Sequence, residues 1–357
     1  MVVETIHKWS LQPIVTESHL PCMIQNNVSL LPYNTFGLDV NAKHFVSVST
    51  SDQFRKAIKE NIQPVLILGG GSNMLLTKDW DGIVLKNDFK GIEIVEKTID
   101  HSIVAVGGGE DWHKFVLWSL SQNLGGIENL SLIPGTVGAS PIQNIGAYGV
   151  ELKDVFVKLE ALRFKTGRKN TFHKKKCKFG YRDSVFKRQL KGQFFISKVF
   201  LKLTNRNHKI HNSYGAIKEV LAQKGIQKPT IQNISEAVIQ IRSSKLPDPK
   251  ELGNSGSFFK NPEIGKTQFE ALKKKFPNLV FYELPNEQYK IPAGWLIDQS
   301  GWKGKRIGNT GCHAKQALVL VNYGDATGKE IWDHALRVQE SVKERYGIEL
   351  MPEVNVL

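Results

Sequence analysis

The sequence predicts a mixed α+β fold of two or three domains, and three observations support this prediction. With 357 residues, the chain exceeds the size that one hydrophobic core usually serves. Short β-branched runs separated by glycine and aspartate turns recur between residues 44 and 106, as is typical of strands. Apolar residues at helical spacing stand between and after these runs, with capping residues before them.

Five strands and one helix are predicted in the first part of the chain. The helix begins after Thr50, because Thr50 and Gln53 have the spacing of a capping box. Phe54, Ala57 and Ile58 then share one face of that helix. The predicted strands cover residues 44–48, 65–68, 83–85, 92–95 and 103–106.

Two further helices are predicted from apolar stripes and their ends. One runs from residue 111 to about residue 124, where two glycines follow it. The other lies near the C-terminus. It begins with the capping-box pair Thr327 and Glu330 and ends at Gly347.

The middle of the chain predicts more sheet and then a domain boundary. Strands are expected at 155–164 and 194–203, on either side of a basic hairpin. A helix over 235–243 has to end before Pro247 and Pro249, because proline cannot continue a helix. We therefore place the boundary at about residue 245.

Composition indicates a folded protein, with 41% apolar and 23% charged residues. No stretch reaches the roughly 18 apolar residues of a spanning helix, so membrane insertion is not expected. Residues 1–24 lack the apolar core of a secretory signal and are interpreted as an N-terminal extension. Cys22, Cys177 and Cys312 stand far apart, which argues against disulfides or a zinc site and favours a reducing, cytoplasmic location.

The formal net charge of +14 predicts a partner rich in phosphate or carboxylate. Its densest part is the basic run over residues 165–178, which is typical of a solvated hairpin and, less often, of a nucleic-acid surface. Neither zinc-finger spacing nor an RNP-like aromatic sequence accompanies this run. We therefore expect small-molecule anions, and no nucleic acid, as partners.

Two glycine-rich segments are candidates for a ligand site. After the predicted strand 65–68 the chain continues as Gly69-Gly-Gly-Ser-Asn73, whose N–H groups can form a concave anion nest. It lacks the lysine of a P-loop and the spacing of a Rossmann turn, so a tight structural turn is the alternative. The segment 133–149 holds four glycines and two prolines, which suits backbone lying against a flat ligand. Together the two loops suggest a bound dinucleotide.

Eight motifs, taken in order along the chain, resemble those of one enzyme family. They are Asn34-Thr-Phe-Gly37, Gly69-Gly-Gly-Ser-Asn73, Ile133-Pro-Gly-Thr-Val-Gly138, Gln143-Asn-Ile-Gly-Ala-Tyr-Gly149, Tyr181-Arg-Asp-Ser184, Gly253-Asn-Ser-Gly-Ser-Phe-Phe-Lys-Asn-Pro262, Ala293-Gly-Trp-Leu-Ile-Asp298 and Pro352-Glu-Val354. From about residue 28 to the C-terminus, the chain is similar to the UDP-N-acetylenolpyruvoylglucosamine reductase family.

The resemblance implies a vanillyl-alcohol-oxidase/PCMH-like FAD-binding fold. Two α+β subdomains would bind FAD, and a third α+β domain would bind the substrate. The expected boundaries are 25–95 and 96–244 for the two subdomains and 245–349 for the substrate domain. The segment 350–357 would return to the first subdomain, and a monomer is expected.

The resemblance also implies a reaction in peptidoglycan precursor synthesis. NADPH would reduce the flavin, and the flavin would pass hydride to C3 of the enolpyruvyl ether of UDP-N-acetylglucosamine enolpyruvate. Protonation at C2 would then give UDP-N-acetylmuramate. Hydride addition next to a carboxylate leaves an enolate, so the protein has to stabilise an anion and deliver a proton.

Three residues match the catalytic positions of the family. Arg182 is expected to stabilise the enolate, since a guanidinium can hold a carboxylate through two parallel hydrogen bonds. Ser257 is expected to protonate C2, and Glu353 to stay protonated and donate a hydrogen bond. Taken alone, they equally suit a hairpin arginine, a turn serine and a surface glutamate.

Binding residues carry over from the same resemblance. Those expected at the UDP-sugar are Tyr181, Tyr214, Lys245, Asn261 and Gln316. At Asn355 some relatives carry an arginine, and at Ala139 some carry a serine. The residues expected at the cofactor are Gly69, Gly70, Gly71, Ser72, Asn73, Pro134, Gly135, Thr136, Gly138, Ala139, Ser140, Asn144, Gly146, Tyr148 and Arg242.

Two other functions stay open at this point. An FAD oxidase of small alcohols or lactones would keep the fold and use oxygen, although Ser257 and the Tyr214 loop favour the reductase. A basic nucleic-acid-binding module is the other alternative. It would show no flavin, and its affinity for DNA would fall steeply with salt.

Overall fold

The structure, a computed structural model, describes residues 23–357. The predicted N-terminal extension and Cys22 therefore lie outside the described residues, apart from Met23 and Ile24. The described chain forms three units, each with its own sheet and helices. The predicted α+β class is confirmed. Within these residues, no helix is long and apolar enough to cross a membrane.

The first unit is a four-stranded sheet in the order β1-β2-β5-β3. β1 pairs antiparallel with β2, and β5 runs parallel to both β2 and β3. The helix α1 begins where predicted, since the Thr50 hydroxyl accepts a hydrogen bond from the Gln53 N–H at 3.2 Å. The elements are β1 Gln25–Ser29, β2 Asn41–Val48, α1 Ser51–Lys59, β3 Val65–Leu68, β4 Met74–Leu75 and β5 Trp80–Asn87.

The second unit is a five-stranded antiparallel sheet in the order β11-β10-β12-β7-β6. The predicted strand 92–95 belongs to this sheet, as part of β6. Five helices and a small hairpin accompany the strands. The elements are β6 Ile92–Lys97, β7 His101–Gly107, α2 Trp112–Ser121, β8 Gly146–Ala147, β9 Val150–Glu151, α3 Leu152–Val155, β10 Phe156–Arg163, β11 Lys169–His173, α4 Lys174–Cys177, β12 Phe194–Thr204, α5 Gly215–Gln223 and α6 Ile231–Lys245.

The third unit holds two small sheets, in the orders β13-β19-β18-β17 and β14-β16-β15. The long helix α9 has the predicted ends, with a Thr327–Glu330 capping box and a left-handed Gly347. The elements are β13 Gly253–Ser257, β14 Glu263–Gly265, α7 Lys266–Lys275, β15 Tyr282–Leu284, β16 Gln288–Lys290, α8 Ala293–Gln299, β17 Arg306–Ile307, β18 Thr310–His313, β19 Gln316–Asn322, α9 Gly328–Tyr346 and β20 Asn355–Val356.

Two helices differ from their predicted lengths for local reasons. α6 begins four residues before the predicted start, because Thr230 and Asn233 form its capping box. α2 ends three residues before Leu124, and Asn123 then adopts a left-handed backbone with φ 55°. Capping side chains decide the start of α6, whereas α2 gives way to a left-handed residue whose side chain donates to the Asn205 carbonyl.

The chain end crosses back to the first unit and helps to build the site. β20 pairs in parallel with β4, and the Asn355 N–H donates to the Asn73 carbonyl at 3.1 Å. The first and third units also share one hydrophobic core. Within it, the rings of Phe36 and Phe258 lie 6.4 Å apart, edge to face. The glycine loop after β3 therefore lies beside the C-terminal segment.

The Asn34-Thr-Phe-Gly37 motif serves this junction. The Asn34 amide donates to the carbonyls of Leu30 and Leu38, both at 2.8 Å, and closes its own loop. The Asn254 N–H then donates to the Thr35 carbonyl at 2.9 Å, which fixes β13 against the first unit. We interpret this motif as a structural link between the first and third units.

A buried histidine on α9 predicts that acid destabilises the fold. His334 is 2% exposed, and its Nε2 lies 3.7 Å from Cys312 Sγ. Burial, followed by the charges of Arg337 and Lys305, lowers the pKa of His334 to about 4. The unfolded histidine titrates near pH 6.5, so the unfolded state takes up the proton first as pH falls. Stability is therefore lost between about pH 6.5 and 4, by about 3 kcal/mol in total.

The measurement is the free energy of unfolding in urea at pH 7 and pH 5. We expect His334→Leu to lose less stability than the unmodified protein over this interval. The control is His173→Leu, because His173 is exposed and should keep the original pH dependence. Equal losses in the unmodified protein and His334→Leu would contradict this assignment.

Candidate active site

The two glycine loops pack directly on each other. A Cβ atom at Gly70 would lie 2.7 Å from the Gly135 Cα, so Gly70 has no room for a side chain. At Gly71 the backbone has φ +62°, and a Cβ there would lie 1.9 Å from the Tyr33 carbonyl oxygen. These positions need glycine, and the loops therefore form one continuous backbone surface.

Several donors on this surface have no partner within the described chain. The N–H groups of Gly70, Gly71 and Thr136 bond to no acceptor among residues 23–357. The hydroxyl of Thr136 is buried and also has no partner there. A buried donor such as the Thr136 hydroxyl is normally satisfied, and the adjacent backbone N–H groups of Gly70 and Gly71 favour an anion. The residues present therefore fit the diphosphate of FAD.

The rest of the second loop is held by its own hydrogen bonds. The Gly138 N–H donates to the Gly108 carbonyl at 2.8 Å. The Ala139 N–H donates to the Thr136 carbonyl at 3.1 Å, and the Ser140 hydroxyl donates to the Val137 carbonyl at 2.7 Å. We interpret Gly138, Ala139 and Ser140 as residues that shape the loop, while direct contact with a cofactor stays a prediction for them.

Asn144 connects the second loop to the turn that carries Arg182. Its side chain is fully buried, donates to the Gly180 carbonyl and accepts from the Lys153 N–H, both at 3.0 Å. Gly146 approaches the same turn, since a Cβ there would lie 3.3 Å from Arg182 Nη1. Two residues predicted at the cofactor thus also position a candidate catalytic side chain.

The turn itself runs from Gly180 to Asp183. Each of these residues donates its N–H to the other's carbonyl, at 3.0 and 3.3 Å. Between them, Arg182 adopts a left-handed backbone with φ 51°, which costs a non-glycine residue about 1–2 kcal/mol. The turn is tied down further by the ion pair of Asp183 Oδ2 with Arg188 Nε, at 2.9 Å. The strained position aims the guanidinium at the C-terminal segment.

Two of the three candidate catalytic side chains come from remote parts of the chain and meet here, and the third stands next to a residue that bonds to the backbone of Glu353. Arg182 Nε lies 3.0 Å from Glu353 Oε1, and these side chains are 23% and 13% exposed. The Nε–H is not aligned on a hydrogen-bond acceptor, so the contact is an ion pair without a directed bond. Ser257 is exposed at the end of β13, next to Phe258, whose carbonyl accepts from the Glu353 N–H at 2.8 Å.

Tyr181 and Asn261 extend this cluster towards the third unit. Their side chains form a hydrogen bond, and burial raises the pKa of Tyr181. The Asn261 carbonyl oxygen also accepts from the Ala293 N–H at 2.9 Å, at the start of α8. Lys290 Nζ lies 3.5 Å from the centroid of the Tyr181 ring. Sequence reasoning missed Lys290, because it belongs to a three-residue strand with no motif.

A second group holds Tyr148, Tyr214 and Arg242. The rings of Tyr148 and Tyr214 lie 5.4 Å apart, edge to face. Burial raises the pKa of Tyr148 and lowers that of Arg242, while the Arg242 Nε is buried without a partner in the described chain. Arg242 also lies close enough to Arg182 for the charge of Arg182 to lower the pKa of Arg242. This group therefore borders the catalytic cluster.

The remaining predicted residues lie farther out. Gln316 begins β19, and its Oε1 lies 3.0 Å from a Cβ built at Gly294, next to the residue that binds Asn261. Lys245 is the exposed last residue of α6, and no contact within the described residues links it to Arg182 or Glu353.

Pro134 and Ser72, by contrast, lie within the paired glycine loops, and Ser72 Oγ lies 3.0 Å from a Cβ built at Gly135.

Comparisons with known proteins agree with this geometry. A model of the FAD binding domain family matches residues 42–169, which hold both glycine loops. The fold and the site thus define the class, an FAD-dependent oxidoreductase. A model of the C-terminal domain of UDP-N-acetylenolpyruvoylglucosamine reductase matches residues 248–357.

Curated relatives named UDP-N-acetylenolpyruvoylglucosamine reductase extend the match over nearly the whole chain. The relative from Flavobacterium johnsoniae is 54% identical and covers 94% of this chain and 99% of its own length. The relative from Pseudomonas aeruginosa is 49% identical, with 93% and 98% covered. The chain belongs to the UDP-N-acetylenolpyruvoylglucosamine reductase family.

A solved structure supports the fold. The crystal structure of UDP-N-acetylenolpyruvylglucosamine reductase from Thermus caldophilus matches with a TM-score of 0.64 at 23% identity. The match covers 94% of this chain and 99% of that one. Together with the FAD-binding match, this likeness confirms the predicted vanillyl-alcohol-oxidase/PCMH-like FAD-binding fold.

Proposed function

We propose that the chain catalyses the NADPH-dependent reduction of UDP-N-acetylglucosamine enolpyruvate to UDP-N-acetylmuramate, a precursor of peptidoglycan. FAD, when bound, supplies hydride transfer from NADPH to C3 of the enolpyruvyl group. The observation that carries the proposal is the ion pair of Arg182 with Glu353, whose backbone N–H bonds to Phe258, the residue after Ser257. Family membership supports the same reaction.

Arg182 has the chemistry to stabilise the anion that hydride addition produces. Its guanidinium contacts Glu353 without a directed Nε hydrogen bond, so a substrate carboxylate can still be bound by its N–H groups. The interaction strengthens as negative charge builds up on that carboxylate. Because the two side chains are mostly buried, solvent screens this charge only weakly.

In this proposal Ser257 is the proton donor, and Glu353 is its neighbour through the backbone bond to Phe258. The hydroxyl is at the open end of β13, where a substrate can reach it, while the backbone behind it is fixed by Glu353 and Leu318. A serine hydroxyl is a weak acid, but an enolate is basic enough to take its proton. Glu353 faces the same cluster and would donate a hydrogen bond to the substrate when protonated.

The substrate's sugar and nucleotide would be held by the residues around this centre. Tyr181 and Asn261 are already joined by a hydrogen bond beside Arg182. Tyr214, Lys245 and Gln316 surround them at greater distance, and all five keep their proposed roles at the UDP-sugar. The excess of positive charge suits the diphosphate of that substrate. We place the reaction in the cytoplasm, to which the buried free thiols Cys177 and Cys312 are suited.

An absorbance experiment tests the proposed function. The purified chain is expected to be yellow, to be bleached by NADPH under anaerobic conditions, and to regain its colour when UDP-N-acetylglucosamine enolpyruvate is added. A chain loaded with FAD that stays bleached after this addition would refute the proposal. Rapid consumption of NADPH by oxygen without the enolpyruvyl substrate would indicate an oxidase instead.

A further inference from the structure

Lys187 is a half-buried lysine behind the catalytic cluster that no matched motif role explains. It lies three residues after Ser184, in the turn that leads from the Arg182 turn towards β12. Its Nζ donates to the carbonyl of Arg182 at 3.4 Å. Arg182 is the residue with the strained left-handed backbone. Lys187 therefore touches the peptide unit whose orientation decides where the guanidinium points.

The charges around Lys187 are unbalanced. Burial and then the neighbouring Lys260 lower the pKa of Lys187, and Arg182 lowers it further, whereas Glu353 and Asp183 raise it. Asp183 already has an ion pair with Arg188, and Glu353 has one with Arg182. Lys187 itself forms no ion pair within the described residues. Lys187 thus shares with Lys260 and Arg182 two carboxylates that are each already paired with an arginine.

This arrangement matters when Arg182 turns from Glu353 to a substrate carboxylate. A mostly buried carboxylate that loses its only cation is strongly destabilised. As long as Glu353 is ionised, Lys187 gives it a positive neighbour while Arg182 is occupied. We propose that Lys187 is a positioning residue, which holds the Arg182 carbonyl and balances Glu353 so that the guanidinium can bind the substrate. The inference rests on the proposed function.

The test separates the two half-reactions in three variants. Lys187→Met keeps the apolar stem and removes the charge, Lys187→Gln keeps a neutral donor, and Lys187→Arg keeps the charge at all accessible pH values. We expect flavin reoxidation by the enolpyruvyl substrate to slow about tenfold in Lys187→Met and less in Lys187→Gln, with bleaching by NADPH unchanged. Lys191→Met, an exposed lysine of the same segment, is the matched control.

The pH profile provides a readout that a purely structural lysine would not change. Deprotonation of Lys187 would remove the balancing charge, so reoxidation in the unmodified enzyme should fall on the alkaline side. In Lys187→Arg that fall should move to higher pH. The groups that face the ammonium in the structure are Lys260, Glu353, Asp183 and Arg182, and none of them is altered in these variants.

The outcomes distinguish the two proposals. If the unmodified enzyme itself fails to reoxidise with the substrate, the proposed function is wrong. If it turns over, and Lys187→Met and Lys187→Gln both match Lys191→Met in rate and pH profile, Lys187 has no positioning role. If Lys187→Met is the one variant that loses its flavin, the rates and pH profiles of Lys187→Gln and Lys187→Arg decide the question, because these two variants change the side chain less.

Discussion

Ser257→Ala is expected to leave reduction of the flavin by NADPH nearly unchanged and to slow its reoxidation by the enolpyruvyl substrate about a hundredfold to ten-thousandfold. This is the usual contribution of a positioned general acid. Among the described residues, the hydroxyl at the exposed end of β13 forms no hydrogen bond with the paired glycine loops that fit the FAD diphosphate. Its loss should therefore spare cofactor binding.

Stopped-flow absorbance measures both half-reactions in the same preparation. Ser257→Cys should recover part of the second half-reaction, because a thiol is a stronger acid than a hydroxyl. The control is Ser121→Ala, whose hydroxyl donates to the Trp118 carbonyl and accepts from the Gln122 side chain on the second unit. Equal slowing of both half-reactions in Ser257→Ala would remove Ser257 from the proton-donor role.

Local sequence patterns predicted the elements that local chemistry determines. Thr50 and the Thr327–Glu330 pair cap their helices as expected, because a cap requires only side chains a few residues apart. Strand 65–68 was predicted at its observed bounds, since glycines end it abruptly. The α6 start was wrong by four residues, because the capping box of Thr230 and Asn233 begins the helix earlier than predicted.

The cluster of Arg182, Ser257 and Glu353 could not be obtained from spacing. These residues lie in separate units, and they meet only because β20 returns to β4 and because Phe258 binds the backbone of Glu353. The family resemblance predicted the roles of these residues. The structure shows that Arg182 contacts Glu353, whose backbone bonds to the residue after Ser257. Lys187 and Lys290 gave no signal, because a single lysine outside a motif has no pattern that distinguishes it from a solvated one.

Asn144 shows that a motif can be recognised in the sequence while the hydrogen-bond partners of its side chains cannot. Its place within a glycine-rich motif predicted a contact with the cofactor, whereas its buried side chain holds Gly180 and Lys153. An asparagine carries both donors and acceptors, and the sequence does not reveal which partners it chooses. The cofactor role of Asn144 stays a prediction, and its observed role is to fix the turn that presents Arg182.

Loss of the Arg182 guanidinium is the other large effect that we expect. Removing one anion stabiliser from a buried site typically lowers the rate about 10²–10³-fold, or about 3–4 kcal/mol of barrier. The effect should fall on flavin reoxidation by the substrate, with bleaching by NADPH retained. The choice of substitution matters because Arg182 has φ 51°, which alanine adopts poorly and asparagine adopts more readily.

Arg182→Asn therefore removes the guanidinium while the turn keeps its backbone, and Arg182→Ala adds backbone strain to the same loss. If the guanidinium acts on the substrate, both variants should slow reoxidation by similar factors, although Arg182→Ala should be the less stable of the two.

The control is Arg206→Asn, which breaks only an exposed ion pair with Asp100. Glu353→Gln combined with Arg182→Asn removes the carboxylate that has lost its ion-pair partner and should recover part of the stability without restoring the rate. Full reoxidation in Arg182→Asn would show that the anion is stabilised elsewhere.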